Sequence, residues 1–195
     1  MNEQFNIKHI VYNRPELNQT LQEYAQCLAE QIDTSRRFIL IGVSLGGMIA
    51  TEISQFTHPE KTIVISSAKN RNELPSRYTF QEKFPIYKLI SPKLAKAGSK
   101  ILQPIVEPDR RLEKEIFKNM LNDKDAVFLR RTIKMIINWD RTEMPKNIVH
   151  IHGSNDHTIP HKNVDCDYLI ENGSHMMVLT RGKEISSLLN KILVN

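Results

Sequence analysis

Short apolar runs rich in β-branched residues recur along the chain and are separated by polar turns. Runs of this kind, too short for helices, are typical of strands buried on both faces of a parallel sheet. The pattern predicts strands at 7–12, 38–41, 62–66, 148–152 and 168–170. Parallel strands need crossover connections, so helices are expected between them.

Apolar stripes at helical spacing fill the intervals between these runs. The first follows a capping box, with Thr20 as the N-cap and Glu23 as the residue that bonds back to it. Further stripes predict helices at about 45–57 and 125–139, and a terminal helix whose stripe ends at Ile192. This alternation predicts an α/β fold with a doubly wound, mostly parallel sheet.

The alternation is interrupted at about 69–146 by proline-containing turns and helical pieces. We therefore predict one domain over residues 1–195, with a helical cap inserted at the carboxyl edge of the sheet, where α/β folds bind ligands. Phe84, Tyr87 and Phe128 of this insertion are candidate substrate-binding residues. Internal packing of the cap is the alternative role for each of them.

The composition narrows the class of protein. No apolar stretch approaches the roughly 20 residues that a membrane helix needs, so no stable membrane insertion is expected. The first residues are polar and contain no apolar signal region. Cys27 and Cys166 are far apart, which favours two reduced thiols that pack in a helix and a strand. These features predict a cytoplasmic protein.

Positive charge is concentrated in one part of the chain. Residues 69–134 hold 16 Lys or Arg against 8 Asp or Glu, within a net charge of +5. Such a block would attract an anionic substrate or a membrane surface, or it forms a solvated helical face. Neither a zinc-finger spacing nor an aromatic RNA-binding signature accompanies it, so no nucleic-acid partner is expected.

The segment Gly42-Val43-Ser44-Leu45-Gly46 carries the most specific chemical signal. It follows a predicted strand and opens a predicted helix, which is the context that a G-x-S-x-G motif requires. A serine at the apex of a strained turn leaves no room for a Cβ at the flanking glycines. The alternative is a glycine-rich turn with an unreactive serine.

A serine hydroxyl needs a base to act as a nucleophile, and the base needs an orienting acid. Asp156 and His175 each follow a predicted strand, so both loops would open at the same sheet edge as Ser44. Asp156 could instead serve only as a turn residue. Rival acids remain, and they are Asp140, Asp165 and Asp167.

Three motifs in this order, GVSLGG, HGSND and GSHMM, resemble those of α/β-hydrolases with a cap insertion, and of small bacterial members in particular. The resemblance implies that Ser44 is the nucleophile, His175 the general base and Asp156 its orienting partner. It implies cleavage of an ester or thioester of a small, partly apolar acid through an acyl-enzyme. We expect a small-molecule acyl substrate and no cofactor.

A metal alternative is raised by His150, His152, His157 and His161, because the first two share one face of a strand and Asp156 is close by. A strand inside a parallel sheet packs both faces, so core or near-site histidines are favoured and no metal is expected. His157 would line the pocket beside Asp156.

Acyl transfer needs two hydrogen-bond donors for the oxyanion. The Leu45 backbone N–H is the first, but no glycine-rich loop precedes Ser44 to supply the second. Either the N-terminus is short, or the donor comes from elsewhere, such as the turn at Asn13-Arg14. A short form would expose a sheet edge and favour a homo-oligomer. Without a second donor, a non-catalytic binding protein of the same fold is the alternative.

Overall fold

In this computed structural model, residues 5–84 and 125–194 are described, and the elements are numbered over them. The strands are β1 (Ile39–Val43), β2 (Lys61–Ile65), β3 (Ile148–Gly153) and β4 (Tyr168–Ile170). The helices are α1 (Leu21–Ala29), α2 (Leu45–Thr57), α3 (Ser76–Lys83), α4 (Ala126–Ile137), α5 (Met177–Thr180) and α6 (Gly182–Val194).

The four strands form one parallel sheet in the order β1-β2-β3-β4. The register pairs Gly42 with Val64, and Val64 in turn with His150. Since all strands run the same way, their carboxyl ends meet at one edge. The predicted α/β class with a mostly parallel sheet is confirmed.

Apolar side chains pack on both faces of the sheet. One cluster joins α1, α2 and α4 around Tyr24, Ile53 and Trp139. The other joins β2 and β3 to α5 and α6, with Ile63 and Ile151 fully buried. Helices therefore cover the sheet from two sides, as the doubly wound prediction requires.

The predicted capping box fixes the start of α1. The Thr20 hydroxyl accepts a hydrogen bond from the Glu23 N–H at 3.1 Å, and the Thr20 N–H donates to Glu23 Oε2 at 2.8 Å. Two donors that the helix cannot satisfy internally are thereby paired. The predicted helices near 45–57, 125–139 and the C-terminus are also confirmed, as α2, α4 and α6.

The strand predicted at 7–12 is wrong, because this segment forms no strand. The Val11 N–H donates to Gln31 Oε1 at 2.9 Å, and the Val11 carbonyl accepts from Gln31 Nε2 at 3.0 Å. A side-chain amide at the end of α1 thus takes the bonds that a neighbouring strand would make. Ile7 and Val11 remain exposed.

Two predictions for the cysteines are also wrong. Cys27 lies in α1 as expected, but its side chain is exposed rather than packed. Cys166 lies in the loop before β4 and not in a strand. Burial raises the pKa of the Cys166 thiol.

The predicted cap is described only at its two ends. Helices α3 and α4 flank residues 85–124, which lie outside the described part of the chain. The bounds of the cap and of the single domain stay predictions. In the two described ranges, no helix has the length and apolar character needed to cross a bilayer.

Several cations of the basic segment make contacts within the protein. Lys69 donates to the Asp165 carbonyl at 2.5 Å, and Arg71 donates to the carbonyls of Ile137 and Trp139 at 2.9 and 2.6 Å. Part of this positive charge is therefore used in contacts within the protein rather than in binding a ligand.

A buried ion pair joins α2 to the segment after α4. Glu52 Oε1 accepts from Trp139 Nε1 and Arg141 Nε, both at 2.7 Å, and Oε2 accepts from Arg141 at 2.8 Å. The side chain of Glu52 is only 3% exposed. Hydrogen bonding to Glu52 raises the pKa of Arg141.

We predict that Glu52→Ala lowers the free energy of unfolding by about 3–5 kcal/mol, because it leaves a largely buried cation, with its side chain 14% exposed, and a buried indole N–H unpaired. Urea denaturation measures the change. Glu60→Ala is the control, since Glu60 pairs with Arg37 on the surface and such pairs contribute about 1 kcal/mol or less. Equal losses in the two variants would contradict the structural role of Glu52.

Candidate active site

Ser44 occupies a strained position between β1 and α2, with φ 52° and ψ −121°. Its N–H donates to the Ile65 carbonyl at 3.0 Å, which extends the pairing of β1 with β2 by one residue. Its carbonyl accepts from the Gly47 N–H at 2.9 Å and from the Ser67 hydroxyl at 2.7 Å. These bonds hold the backbone in a conformation that a non-glycine residue rarely adopts.

Glycines allow β1 and α2 to approach closely at this turn. A Cβ on Gly42 would lie 2.1 Å from the Gly46 carbonyl oxygen, and one on Gly47 would lie 2.4 Å from Ser67 Oγ. A Cβ on Gly46 would instead lie 2.9 Å from the hydroxyl of Tyr12. The expected crowding is present at both flanking glycines, but at Gly46 it comes from a distant side chain and not from the turn.

Ser44, His175 and Asp156 form a continuous chain of hydrogen bonds. Ser44 Oγ lies 2.8 Å from His175 Nε2, and His175 Nδ1 lies 2.8 Å from Asp156 Oδ2. With Asp156 ionised, the proton of the imidazole belongs on Nδ1, which leaves Nε2 to accept from the serine. His175 is 6% exposed and Asp156 2%.

The other oxygen of Asp156 is bound by its own loop. Oδ1 accepts from the N–H groups of Thr158 and Ile159, both at 2.8 Å. The carboxylate is thus both a turn residue and the partner of His175, so the two roles considered for it do not exclude each other. This double anchorage fixes the direction in which Oδ2 faces the imidazole.

The carboxylates of two rival acids bind elsewhere. Asp140 accepts from Gln22 Nε2 at 2.6 Å, and Asp167 Oδ2 accepts from the N–H of His150 at 2.7 Å. The backbone carbonyl of the third, Asp165, accepts from the buried Lys69. Asp156 is therefore the carboxylate that the structure brings to His175.

Two buried histidines lie behind the carboxylate. His152 Nε2 is 2.8 Å from the Ile159 carbonyl and 3.5 Å from Asp156 Oδ2, and His152 Nδ1 is 3.0 Å from His150 Nε2. The carbonyl requires a proton on His152 Nε2, so the His150 proton lies on its Nε2. Within residues 5–84 and 125–194, no hydrogen-bond partner is found for the buried His150 Nδ1.

These histidines are core residues that border the site, as the strand pattern favoured. Burial lowers the pKa of His150 to about 3, and burial also lowers the pKa of His152. Across the described residues, no group of three or more His, Cys, Asp or Glu is arranged to hold a metal ion. His157 is exposed, with its Nε2 2.8 Å from Asn155 Oδ1.

Two of the three candidate pocket residues lie in the described part of the chain. Phe84 ends α3 and is 59% exposed, with its ring centroid 5.2 Å from that of Phe80. Phe128 on α4 meets the ring of Tyr12 edge-on, with centroids 6.5 Å apart. Tyr87 lies outside the described residues. Substrate binding by these three residues stays a prediction.

The candidate oxyanion donor is the first residue of α2. Leu45 has an N–H that no carbonyl of its own helix can reach, as at every helix start. At the turn proposed as an alternative donor, the Asn13 carbonyl accepts from the Tyr24 hydroxyl at 2.6 Å and the Arg14 side chain pairs with Asp125 at 2.7 Å. A donor role for the N–H groups of this turn stays a prediction. Tyr12 ends the segment predicted as a strand at 7–12, and no local motif marks it as a site residue.

Comparison with solved structures identifies the fold. An esterase from Thermogutta terrifontis superposes with a TM-score of 0.71 at 11% identity, covering 90% of this chain and 72% of the esterase. Est816, described as an N-acyl homoserine lactone degrading enzyme, gives 0.68 at 16% identity, covering 92% and 77%. A hydrolase from Pseudomonas aeruginosa gives 0.65 at 17%, covering 92% and 74%. The chain therefore has the α/β-hydrolase fold.

Comparison of sequences gives less information than comparison of structures. The model of an uncharacterised protein family, UPF0227, matches residues 2–83. No protein with a curated description matches the sequence.

The buried histidines predict a pH-dependent stability. Between roughly pH 3 and 6.5 the unfolded chain binds a proton at His150 that the folded chain does not, so the free energy of unfolding decreases as the pH is lowered through this window. For His150 alone the loss from pH 7 to pH 5 is about 2 kcal/mol. Urea denaturation at both pH values measures this loss in wild type and in His150→Gln. The variant is expected to show a weaker dependence of stability on pH.

His9→Gln is the matched control, because His9 is exposed near the N-terminus. That variant is expected to keep the pH dependence of wild type. If His150→Gln also kept it, the buried imidazole would not be the source of the acid sensitivity.

Proposed function

We propose that this protein is a serine hydrolase that cleaves a carboxylic ester or thioester through an acyl-enzyme. Ser44 is the nucleophile, His175 the general base and Asp156 its orienting acid. The observation that carries the proposal is the hydrogen-bonded chain of these three side chains, with both contacts at 2.8 Å. The esterases that share the fold, at low identity, give further support.

Acylation follows from this geometry. Ser44 Oγ forms a bond to the substrate carbonyl carbon and its proton passes to His175 Nε2, while the carbonyl π electrons move onto oxygen. The Leu45 N–H, at the positive end of α2, donates to this oxyanion. The oxyanion then collapses, the bond to the leaving alkoxide or thiolate breaks, and His175 returns the proton to the leaving group.

Deacylation repeats the sequence with water. His175 takes a proton from the water as its oxygen bonds to the acyl carbon, and returns that proton to Ser44 Oγ as the acid departs. Asp156 stays ionised and stabilises the imidazolium in both halves. A buried carboxylate held by two backbone N–H groups suits this role, because it cannot turn away from the ring.

A fluorophosphonate probe tests the proposal by intact mass. The folded wild-type protein is expected to gain one adduct, and Ser44→Ala and His175→Ala to gain none. Asp156→Asn is expected to react about 10⁴-fold more slowly, since it loses the carboxylate that orients the imidazole. Ser187→Ala, which removes an exposed hydroxyl on α6, is the control and should react like wild type.

Turnover is then measured with esters and thioesters of graded acyl length, with the same variants in parallel. Absence of an adduct on folded wild-type protein would contradict the catalytic proposal. That result would favour a non-catalytic binding protein of the same fold. A single adduct retained by Ser44→Ala would place the reactive nucleophile elsewhere.

A further inference from the structure

The Tyr12 hydroxyl lies at the opening turn of α2, far in sequence from the serine motif. It is 2.9 Å from the position that a Cβ on Gly46 would occupy. Gly46 is the second residue of α2, next to Leu45 and two residues after Ser44. A phenolic O–H therefore lies close to the second residue of α2, in the turn that Ser44 begins.

The backbone around Tyr12 is anchored on both sides. The preceding residue, Val11, makes two hydrogen bonds with the side chain of Gln31. The following residue, Asn13, accepts from the Tyr24 hydroxyl at 2.6 Å. Tyr12 thus sits between two attachments, one to Tyr24 of α1 and one to Gln31 just after this helix, although the segment has no regular secondary structure.

The ring of Tyr12 is held as well. Its centroid lies 6.4 Å from that of Tyr24 and 6.5 Å from that of Phe128, with the second contact edge-on at 89°. Aromatic pairs with this spacing stabilise one orientation of a ring. Two rings from α1 and α4 therefore direct the hydroxyl toward the start of α2.

A group fixed in this way has the chemistry of an oxyanion donor. Tyr12 is 43% exposed, and its phenol carries one donor hydrogen that stays in place through neutral pH, because a tyrosine titrates only at about pH 10. A preorganised donor costs little reorganisation when charge develops on the substrate oxygen. A role in packing alone would need the ring of Tyr12 and not its hydroxyl.

We propose that the Tyr12 hydroxyl is the second hydrogen-bond donor of the oxyanion hole, opposite the Leu45 N–H. The inference rests on the proposed serine hydrolase function. Tyr12 donates to the substrate oxygen in the tetrahedral intermediate and transfers no proton. It supplies, from an N-terminal segment, the donor that the sequence before Ser44 lacks in the form of a glycine-rich loop.

The test compares Tyr12→Phe with wild type on an ester that wild type hydrolyses. Tyr12→Phe keeps the ring and its packing, so KM should change little, while kcat falls about 10²-fold because one oxyanion donor is lost. Tyr168→Phe removes an exposed phenolic oxygen from β4, at the other edge of the sheet, and should leave kcat unchanged. Thermal unfolding verifies that both variants are folded.

A trifluoromethyl ketone related to the substrate gives a second readout. Ser44 adds to it and forms an oxyanion, so Tyr12→Phe should weaken its inhibition by about the same factor as kcat. Inhibition by the corresponding unreactive ether, which forms no oxyanion, should not change. A packing role for Tyr12 would affect both inhibitors alike.

The outcomes separate the two proposals. If wild type hydrolyses esters through Ser44 and Tyr12→Phe keeps kcat within about twofold, the role of Tyr12 is overturned and the hydrolase function stands. If wild type neither reacts with the fluorophosphonate nor turns over any ester, both fall together.

Gly46→Ala gives an independent check, because its Cβ displaces the Tyr12 hydroxyl. It should lower kcat in wild type, and lower it much less in the Tyr12→Phe background. Equal losses in the two backgrounds would also overturn the role of Tyr12.

Discussion

The candidate site depends on one strained residue, Ser44, held at positive φ between a strand and a helix. Such a conformation costs on the order of 1–3 kcal/mol and persists only where its surroundings fix it. Here they do so from three directions: the ladder to β2, the first turn of α2, and the Ser67 hydroxyl on the Ser44 carbonyl. Without this turn the serine side chain would follow the strand and would not meet His175.

The parallel sheet brings the remaining parts together. Ser44 follows β1, Asp156 follows β3 and His175 follows β4, so three loops distant in sequence open at the same edge. Strand β2 contributes as well, because Ser67, which bonds to the Ser44 carbonyl, lies just after it. The histidine and the carboxylate then need no special conformation to meet at 2.8 Å. The fold brings the three side chains together, and local hydrogen bonds fix their orientation.

Periodicity and capping signals predicted most of this architecture because they act locally. The buried β-branched runs, the capping box at Thr20 and the three site motifs each occupy only a few consecutive residues. The strand at 7–12 failed for a physical reason: an apolar run becomes a strand only beside a partner, and Gln31 takes the backbone of Val11 instead. The position of Tyr12 beside Gly46 could not be predicted from the sequence either, because no local pattern links residues 12 and 46.

The failed strand and the position of Tyr12 have a common origin. In a ladder, regular backbone pairing would set the direction of each side chain in the segment. Here the backbone is bonded instead to the side chains of Tyr24, in α1, and Gln31, just after it. Without the constraint of a ladder, the Tyr12 side chain can point to the helix that Ser44 begins. The glycine at position 46 is then explained by more than the motif, because its missing side chain makes room for the Tyr12 hydroxyl from the N-terminal segment. The strained turn and the irregular segment thus form one structural unit.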